Sequence, residues 1–175
     1  NNIIDLFILT RQYEQDFTDW VSDVTDTVAK PIQPTPEELH IEFNSLNTSK
    51  MLSDTLIFNS AKFKPLFGKE ASAELQATFK VVKNTSVNTS DSQIKSRLIA
   101  AINRYFDILN WDFGETFYFT ELSTYLHQEL TPDVASIIIV SKNGTNPFGS
   151  LFQINSEPNE IITSPATVAV AYTHQ

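Results

Sequence analysis

Residues 90–140 constrain the fold more than any other part of the chain, because two helix patterns and a strand pattern follow one another there with almost no spacing. Ser90 and Gln93 have the spacing of a capping box, which predicts the start of a helix. Apolar residues then recur at helical spacing over about five turns. They are Ile94, Leu98, Ile99, Ile102, Tyr105, Phe106 and Leu109. We therefore expect a packed structural unit rather than a site displayed on loops.

A shorter helix and a strand complete this unit. Thr120 is the expected N-cap of the helix, and Pro132 is expected to end it. The apolar residues of its inner face are Leu122, Tyr125, Leu126 and Leu130. Apolar residues between 134 and 140 then predict a strand. We expect Ile102 and Phe106 to be buried against this strand.

The preceding residues predict further strands and helices. The apolar run at 3–9 is typical of a strand buried on both faces. Residues 11–33 have a weak helical period, and a strong helix start with a capping box follows at Thr35. Residues 55–59 predict a short strand. Residues 70–83 alternate between apolar and polar side chains, which predicts a strand with one solvent-facing side.

This order of elements, β-α-β-β-α-β, predicts an α+β protein with a split βαβ or ferredoxin-like arrangement. We expect one domain over residues 1–142. Residues 143–175 begin in loop-like sequence and regain strand character at 151–154 and 167–172. They predict a small C-terminal β appendage.

Composition excludes several function classes. Twelve Lys and Arg residues stand against 21 Asp and Glu residues, which gives a net charge of −9, so we expect no nucleic-acid binding. The chain has no cysteine, which excludes disulfides and Cys-based zinc sites. No apolar run reaches the roughly 18 residues of a membrane span, so we expect no membrane insertion. Residues 1–10 lack the features of a signal peptide, and without an initiator Met the chain resembles part of a longer polypeptide.

A catalytic site is not predicted. Residues 112–114 spell Asp-Phe-Gly, the magnesium-binding tripeptide of protein kinases, but no kinase catalytic loop precedes it and no glycine-rich phosphate loop exists. Gly114 is instead expected at a left-handed turn position. His40, His127 and His174 lie far apart, without the spacing of a metal site. We therefore expect no enzyme activity, no cofactor, no metal and no small-molecule substrate.

An aromatic run between the two helices of the 90–140 unit has two interpretations. Its members are Trp111, Phe113, Phe117, Tyr118 and Phe119. The first interpretation is core packing between the amphipathic helices. The second is a platform for carbohydrate or for another protein.

Four segments together resemble the C-terminal part of the baseplate J-like family. They are Ile94-Lys95-Ser96-Arg97-Leu98-Ile99-Ala100-Ala101-Ile102-Asn103-Arg104-Tyr105-Phe106, Trp111-Asp112-Phe113-Gly114-Glu115, Thr120-Glu121-Leu122 and Pro132-Asp133-Val134. The family has a Gly-Val strand entry where this chain has Asp133-Val134. The resemblance covers most of residues 3–142, and the final residues are more similar to the wedge subunits of T-even type phages.

This resemblance implies a non-enzymatic structural protein of a contractile phage tail. Such proteins pair as homodimers within a baseplate wedge and join other baseplate wedge proteins in the ring around the tail hub. They are part of the virion and assemble in the host cytoplasm. The alternative function is a carbohydrate-binding or adhesin-type β-rich module.

Two apolar clusters in loop-like sequence are candidates for the homodimer interface, because a loop does not easily bury such side chains within its own domain. The first cluster is Phe148, Leu151 and Phe152. The second is Phe63, Leu66 and Phe67, around Pro65. Packing of each cluster onto its own sheet is the alternative.

Overall fold

The computed structural model describes residues 2–143, 149–164 and 171–174. The chain is 38% helical and 28% strand, and its strands form several small sheets. Because helices and strands both make large contributions, the fold class is α+β, as the sequence predicts. None of the helices in the described ranges is long and apolar enough to cross a membrane.

The described chain has five α-helices, and the sequence identifies the capping residue of two of them. They are α1 (Arg11–Ser22), α2 (Pro36–Glu42), α3 (Asp91–Tyr105), α4 (Phe119–Leu130) and the short α5 (Gly149–Phe152). Thr10 caps α1 with its side chain. Thr35 and Glu38 close a capping box at the start of α2. Ser90 and Gln93 do the same for α3, so both predicted capping boxes are confirmed.

The strands are short and separated by turns, three of which are 3-10 helices (Asn44–Ser49, Ala73–Leu75 and Ile108–Asn110). The strands are β1 (Asn2–Ile8), β2 (Asp54–Ser60), β3 (Lys62–Pro65), β4 (Ala77–Lys83), β5 (Phe117–Tyr118), β6 (Val134–Ser141), β7 (Gln153–Ile154), β8 (Glu160–Thr163) and β9 (Ala171–His174).

Strands from the two ends of the chain pair with one another. β3 pairs in parallel with β8, and β5 pairs antiparallel with β7. β4 lies between β6, to which it is antiparallel, and β9, to which it is parallel. β1 and β2 form a separate parallel pair. The strands after residue 143 therefore complete sheets of residues 1–142 and do not form an appendage beside them.

The main core lies between the β4–β6 pair and the helices α3 and α4. Ile102 is fully buried and Phe106 nearly so, in one cluster with Ile137 and Ile139 of β6, which confirms the predicted burial. A smaller cluster forms around α1, where Tyr13, Phe17 and Val21 are buried. The unit of residues 90–140 is thus the largest contributor to the core.

The burial of β1 differs from the prediction. Its first four residues are exposed, and Ile3 keeps 68% of its surface open. β1 has only β2 as a described partner. A run of apolar residues is therefore not sufficient for burial on both faces.

Three predicted boundaries also need correction. Residues 70–83 form a strand only from Ala77, because residues 73–75 turn into a 3-10 helix. Thr120 lies inside α4, whose N-cap is Tyr118 without a side-chain cap. Residues 151–152 belong to α5, and only Gln153 and Ile154 form a strand.

Residues 11–33 have a weak helical pattern, but the observed helix α1 ends at Ser22. The next residue, Asp23, explains why. The Asp23 carboxylate accepts hydrogen bonds from three backbone N–H groups, those of Thr25, Thr27 and Val28, at 2.6–2.8 Å. These bonds offer the backbone an alternative to the helix and so end it. They also hold the pKa of Asp23 well below its usual value, with the Thr25 hydroxyl as the largest contributor.

Candidate interaction site

Three of the proposed interface residues are buried in the core, which corrects the expectation that their clusters lie on the surface. Leu66 and Phe67 are fully buried, and Leu151 is almost so. The Phe67 ring packs edge-on against Phe79 and Phe117, with centroids 5.1 Å and 5.6 Å away. These side chains therefore complete the core and are not available to a second copy.

The backbone explains why a loop can bury Phe67. Its N–H donates to the carbonyl of Leu75, and its own carbonyl accepts from the N–H of Ala77, at 3.0 Å and 3.2 Å. Its φ of 68° lies in the left-handed region, which is uncommon for a residue other than glycine. The segment after Pro65 thus bonds to the entrance of β4, and the phenyl ring lies inside.

The other three proposed residues have different positions. Phe63 is half-buried and stacks on Phe17 with ring centroids 4.6 Å apart. Phe152 keeps 37% of its surface open and touches Phe119 edge-on at 5.7 Å. Phe148 lies outside the described residues. In the described part of the two clusters, Phe152 and the open side of Phe63 are therefore accessible to a partner.

The aromatic run is mostly core. Phe117 is fully buried and Phe119 nearly so. Trp111 is half-buried, and its ring lies parallel to that of Phe106 with a centroid distance of 5.6 Å. The Trp111 indole N–H donates to the carbonyl of Tyr105 at 3.0 Å. Core packing therefore accounts for Phe117, Phe119 and one side of Trp111, whereas Tyr118 is 40% exposed. The other side of Trp111 borders an open cleft.

This cleft, which we call the Trp111 cleft, lies between α3, α4 and the turn that joins them. Its lining combines aromatic, acidic, basic, amide and hydroxyl side chains: Arg104, Tyr105, Asn110, Trp111, Glu115, Thr116, Glu121 and Tyr125. The Tyr105 ring lies 5.9 Å from Trp111 and 5.4 Å from Tyr125. The volume of the Trp111 cleft, about 270 Å³, is just below the range of typical small-molecule sites.

Tyr105 is the most perturbed group of the Trp111 cleft. Burial raises its pKa to about 12, with smaller contributions from the negative charges of Glu121 and Glu115. The phenol is therefore neutral at physiological pH. A neutral phenol beside two carboxylates is suited to hydrogen bonding with a hydroxyl-rich ligand, whereas it offers no nucleophile.

Asp133 occupies a polar junction that the sequence patterns do not predict. Its carboxylate accepts a hydrogen bond from the Thr89 hydroxyl at 2.6 Å and forms an ion pair with Arg97. The Asp133 carbonyl accepts from the N–H of Asn84 at 2.8 Å. These contacts join the end of β4, α3 and the start of β6. The Thr89 hydrogen bond is the largest cause of a lowered Asp133 pKa, and the Arg97 pair adds to it against the opposing effect of burial.

The described residues contain no group of three or more acidic or histidine side chains that could hold a metal ion. His40 and His127 are exposed on different helices. Gly114 has a φ of 72°, as predicted for a turn, and its N–H donates to the carbonyl of Glu160 at 3.0 Å. The Asp-Phe-Gly tripeptide is therefore a structural turn that contacts the start of β8.

A second open surface is formed by β1, α2, the 3-10 helix Asn44–Ser49 and β2, and we call this unit the β1–β2 arm (residues 2–8 and 36–60). Leu39 of α2 and Phe58 of β2 are buried within the arm, but neither belongs to the main core or to the α1 cluster. Exposed apolar residues are concentrated here. They are Ile3, Ile4, Phe7, Ile41, Leu46, Met51, Leu52 and Ile57.

Within residues 2–143, 149–164 and 171–174, the Trp111 cleft and the β1–β2 arm are thus two surfaces with the chemistry to bind a partner. A sequence signal for the first exists in the aromatic run. For the second, the apolar run at 3–9 was the signal, but the same run also fits a buried strand. In comparisons with known proteins, no family model matches the chain and no curated protein gives a significant match.

Proposed function

We propose that this chain is a non-enzymatic structural subunit of a contractile phage tail baseplate wedge, similar to the C-terminal part of the large wedge subunit of T-even type bacteriophages. It pairs with a second copy and with other baseplate wedge proteins in the ring around the tail hub. It belongs to the virion and assembles in the host cytoplasm. The observation that carries the proposal is the ordered set of segments from Ile94 to Val134 that resembles the baseplate J-like family.

The packing of this region supports the proposal. Its two helices bury their apolar stripes against β4 and β6, and the Asp133 junction fixes the strand entry where the family has a Gly-Val pair. We include the split βαβ arrangement of the strands and helices in this proposal. The sequence of elements supports it, whereas among the described strands no single sheet joins β1 and β2 to β4 and β6.

The exposed surface also supports an assembly protein. The β1–β2 arm presents apolar side chains that its own domain leaves uncovered, and Phe152 adds a second apolar position elsewhere. Exposed apolar groups that cluster in this way mark interfaces between proteins. An assembly subunit uses such surfaces, whereas a monomeric protein gains nothing from them.

The mass of the purified chain in solution tests the self-association. Multi-angle light scattering is expected to give twice the monomer mass. Phe152→Ser and Phe63→Ser separately test the two candidate positions, and Leu109→Ser is the control because Leu109 is 91% exposed at a different site. A folded monomer in one variant identifies the interface, and an unchanged dimer in both rejects these positions.

The wider proposal is tested by mixing the chain with the purified wedge proteins of a T-even type phage. Co-elution in a complex of defined mass is expected. A chain that is monomeric at all concentrations and joins none of these proteins contradicts the proposal.

A carbohydrate-binding module is the second candidate, and the Trp111 cleft is the observation that favours it. Aromatic walls with carboxylate and amide groups are suited to sugar hydroxyls and ring faces. Titration with a panel of soluble oligosaccharides, followed by tryptophan fluorescence, tests this function. Trp20 is the second tryptophan, so the signal is assigned by repeating the titration with Trp111→Phe. A fluorescence signal that stays constant up to millimolar sugar rejects this candidate.

A further inference from the structure

The β1–β2 arm has an open strand edge. β1 is paired with β2 along its whole length, from Asn2 opposite Asp54 to Ile8 opposite Ser60. Among the described strands, none pairs with the other edge of β1. Backbone N–H and C=O groups along that edge are therefore free to pair with another chain.

Apart from the single charge of Asp5, β1 has none of the features that usually protect an edge strand. Natural edge strands usually carry Lys, Pro or a bulge, or are very short. β1 has seven residues, reads Asn-Ile-Ile-Asp-Leu-Phe-Ile and pairs with β2 without a register shift. Parallel strands, moreover, normally lie in sheets that are covered on both faces, and two strands alone are marginally stable. The arm thus has the form of a sheet that is completed by a further strand.

The two faces of β1 define what that strand contacts. Successive side chains alternate between the faces. Ile3, Asp5 and Phe7 share one face. Ile3 is more open than Phe7, whose ring rests on that of Phe113 at a centroid distance of 5.8 Å. Ile4 and Leu6 share the other face. An added strand therefore meets an apolar, an acidic and an apolar side chain in succession on the first face.

Charge decides which kind of strand fits. The β1–β2 arm contains five carboxylates, Asp5, Glu37, Glu38, Glu42 and Asp54, and one lysine, Lys50, so its net charge is 1 − 5 = −4. Asp5 accepts a hydrogen bond from the Asn59 amide at 3.2 Å, which leaves its charge unpaired. A second copy that added antiparallel about the middle of β1 would place Asp5 opposite Asp5, and like charges directly opposite destabilise a strand pair.

We propose that the open edge of β1 binds an extended segment of a different protein, in which a Lys or Arg lies between apolar residues at alternate positions. The segment adds to β1 as a third strand. Its basic side chain pairs with Asp5, and its apolar side chains cover Ile3 and Phe7. This inference does not depend on the baseplate function, so each can fail while the other stands.

Three labelled peptides of the length of β1 test the proposal by fluorescence anisotropy with the full chain. The first is Thr-Val-Ile-Lys-Val-Val-Thr with both ends blocked, and the second has Glu in place of Lys. The third repeats the first with alternate backbone amides N-methylated, so that it cannot complete a strand ladder. The Lys peptide is expected to bind roughly threefold more tightly than the Glu peptide. N-methylation is expected to weaken binding at least about tenfold.

Asp5→Lys is expected to reverse the preference between the Lys and Glu peptides. Glu74→Lys is the matched control, because it makes the same change of charge at an exposed residue outside the arm and is expected to leave the preference as it was. Slower hydrogen exchange of β1 amides on peptide addition places the bound strand at this edge. Equal binding of all three peptides, protection outside β1, or no saturable binding up to millimolar peptide overturns the proposal.

Discussion

The ring of Trp111 lies parallel to the ring of Phe106, with an interplanar angle of 9° and a centroid distance of 5.6 Å. Phe106 ends α3, and Trp111 follows the short 3-10 helix Ile108–Asn110. Because the indole N–H also bonds to the carbonyl of Tyr105, the chain is fixed at the point where it turns from α3 towards α4. One face of the indole is thus used for the fold, which limits what the Trp111 cleft offers to a ligand.

Replacing Ile102 by alanine tests the core of residues 90–140. Ile102 lies on the face of α3 that packs in the main core and is fully buried. The free energy of unfolding should therefore fall by about 2–5 kcal/mol. Urea denaturation measures the change. Leu109→Ala is the control and is expected to change it by less than about 0.5 kcal/mol, because Leu109 is exposed. An equally small effect at Ile102 would show that this helix face is not the core.

Ser90→Ala tests the capping box of α3. The Ser90 hydroxyl accepts a hydrogen bond from the N–H of Gln93 at 3.2 Å, and the variant leaves that N–H without it. The expected loss is about 1 kcal/mol of unfolding free energy. Ser92→Ala is the matched control, since Ser92 is exposed in the first turn of the same helix and does not cap it. Equal effects of the two substitutions would contradict the role of the cap.

The pKa of Tyr105 can be measured by following phenolate absorbance as the pH rises, with Tyr105→Phe identifying its share of the signal. We expect a pKa of about 12 in the folded chain. Glu121→Gln should lower it, because a nearby negative charge opposes formation of phenolate. Since burial is the larger cause, the pKa should stay above its usual value in this variant. A Tyr105 pKa that is the same in both proteins would exclude the contribution of Glu121.

Asp133→Asn tests the polar junction through its pH dependence. The pKa of Asp133 is lowered in the folded chain, so the carboxylate stabilises the fold above the unfolded-state pKa of about 3.9. This contribution is lost as the pH falls through the lower, folded-state value. The difference in unfolding free energy between the native chain and Asp133→Asn should therefore be larger at about pH 6 than at about pH 3.

Urea denaturation at the two pH values measures that difference. Glu74→Gln serves as the control, because Glu74 is exposed, and it should leave the pH dependence nearly unchanged. A difference for Asp133→Asn that is the same at both pH values would show that its carboxylate is not selectively stabilised in the folded chain.

The features that sequence patterns predict correctly depend on residues close together in the chain. A capping box involves residues three apart, so the boxes that begin at Thr35 and Ser90 can be recognised in the sequence. The apolar stripe of α3 can be recognised too, because it repeats within a few residues. β8 is different. Residues 160–163 become a strand because β3 lies beside them, and no local pattern identifies so distant a partner.

Two errors have the same physical origin, which is that apolar character does not reveal what covers a side chain. Phe67 follows a proline in loop-like sequence, yet backbone bonds to the entrance of β4 place it in the core. Ile3 lies in an apolar run typical of a buried strand, yet it is exposed. Whether an apolar residue is covered by its own chain or left to a partner depends on tertiary packing, which periodicity does not contain.

The parallel pairing of β3 with β8 has a consequence for folding during synthesis on the ribosome. Lys62 lies opposite Glu160, a partner that is synthesised 160 − 62 = 98 residues later. β3 therefore leaves the ribosome before its neighbour β8 has been synthesised, and the edge that pairs with β8 stays unpaired until then. Contacts so distant in sequence form slowly, since a large loop must close before they are gained. During that interval the unpaired edge of β3 is a site where a chaperone can bind the nascent chain.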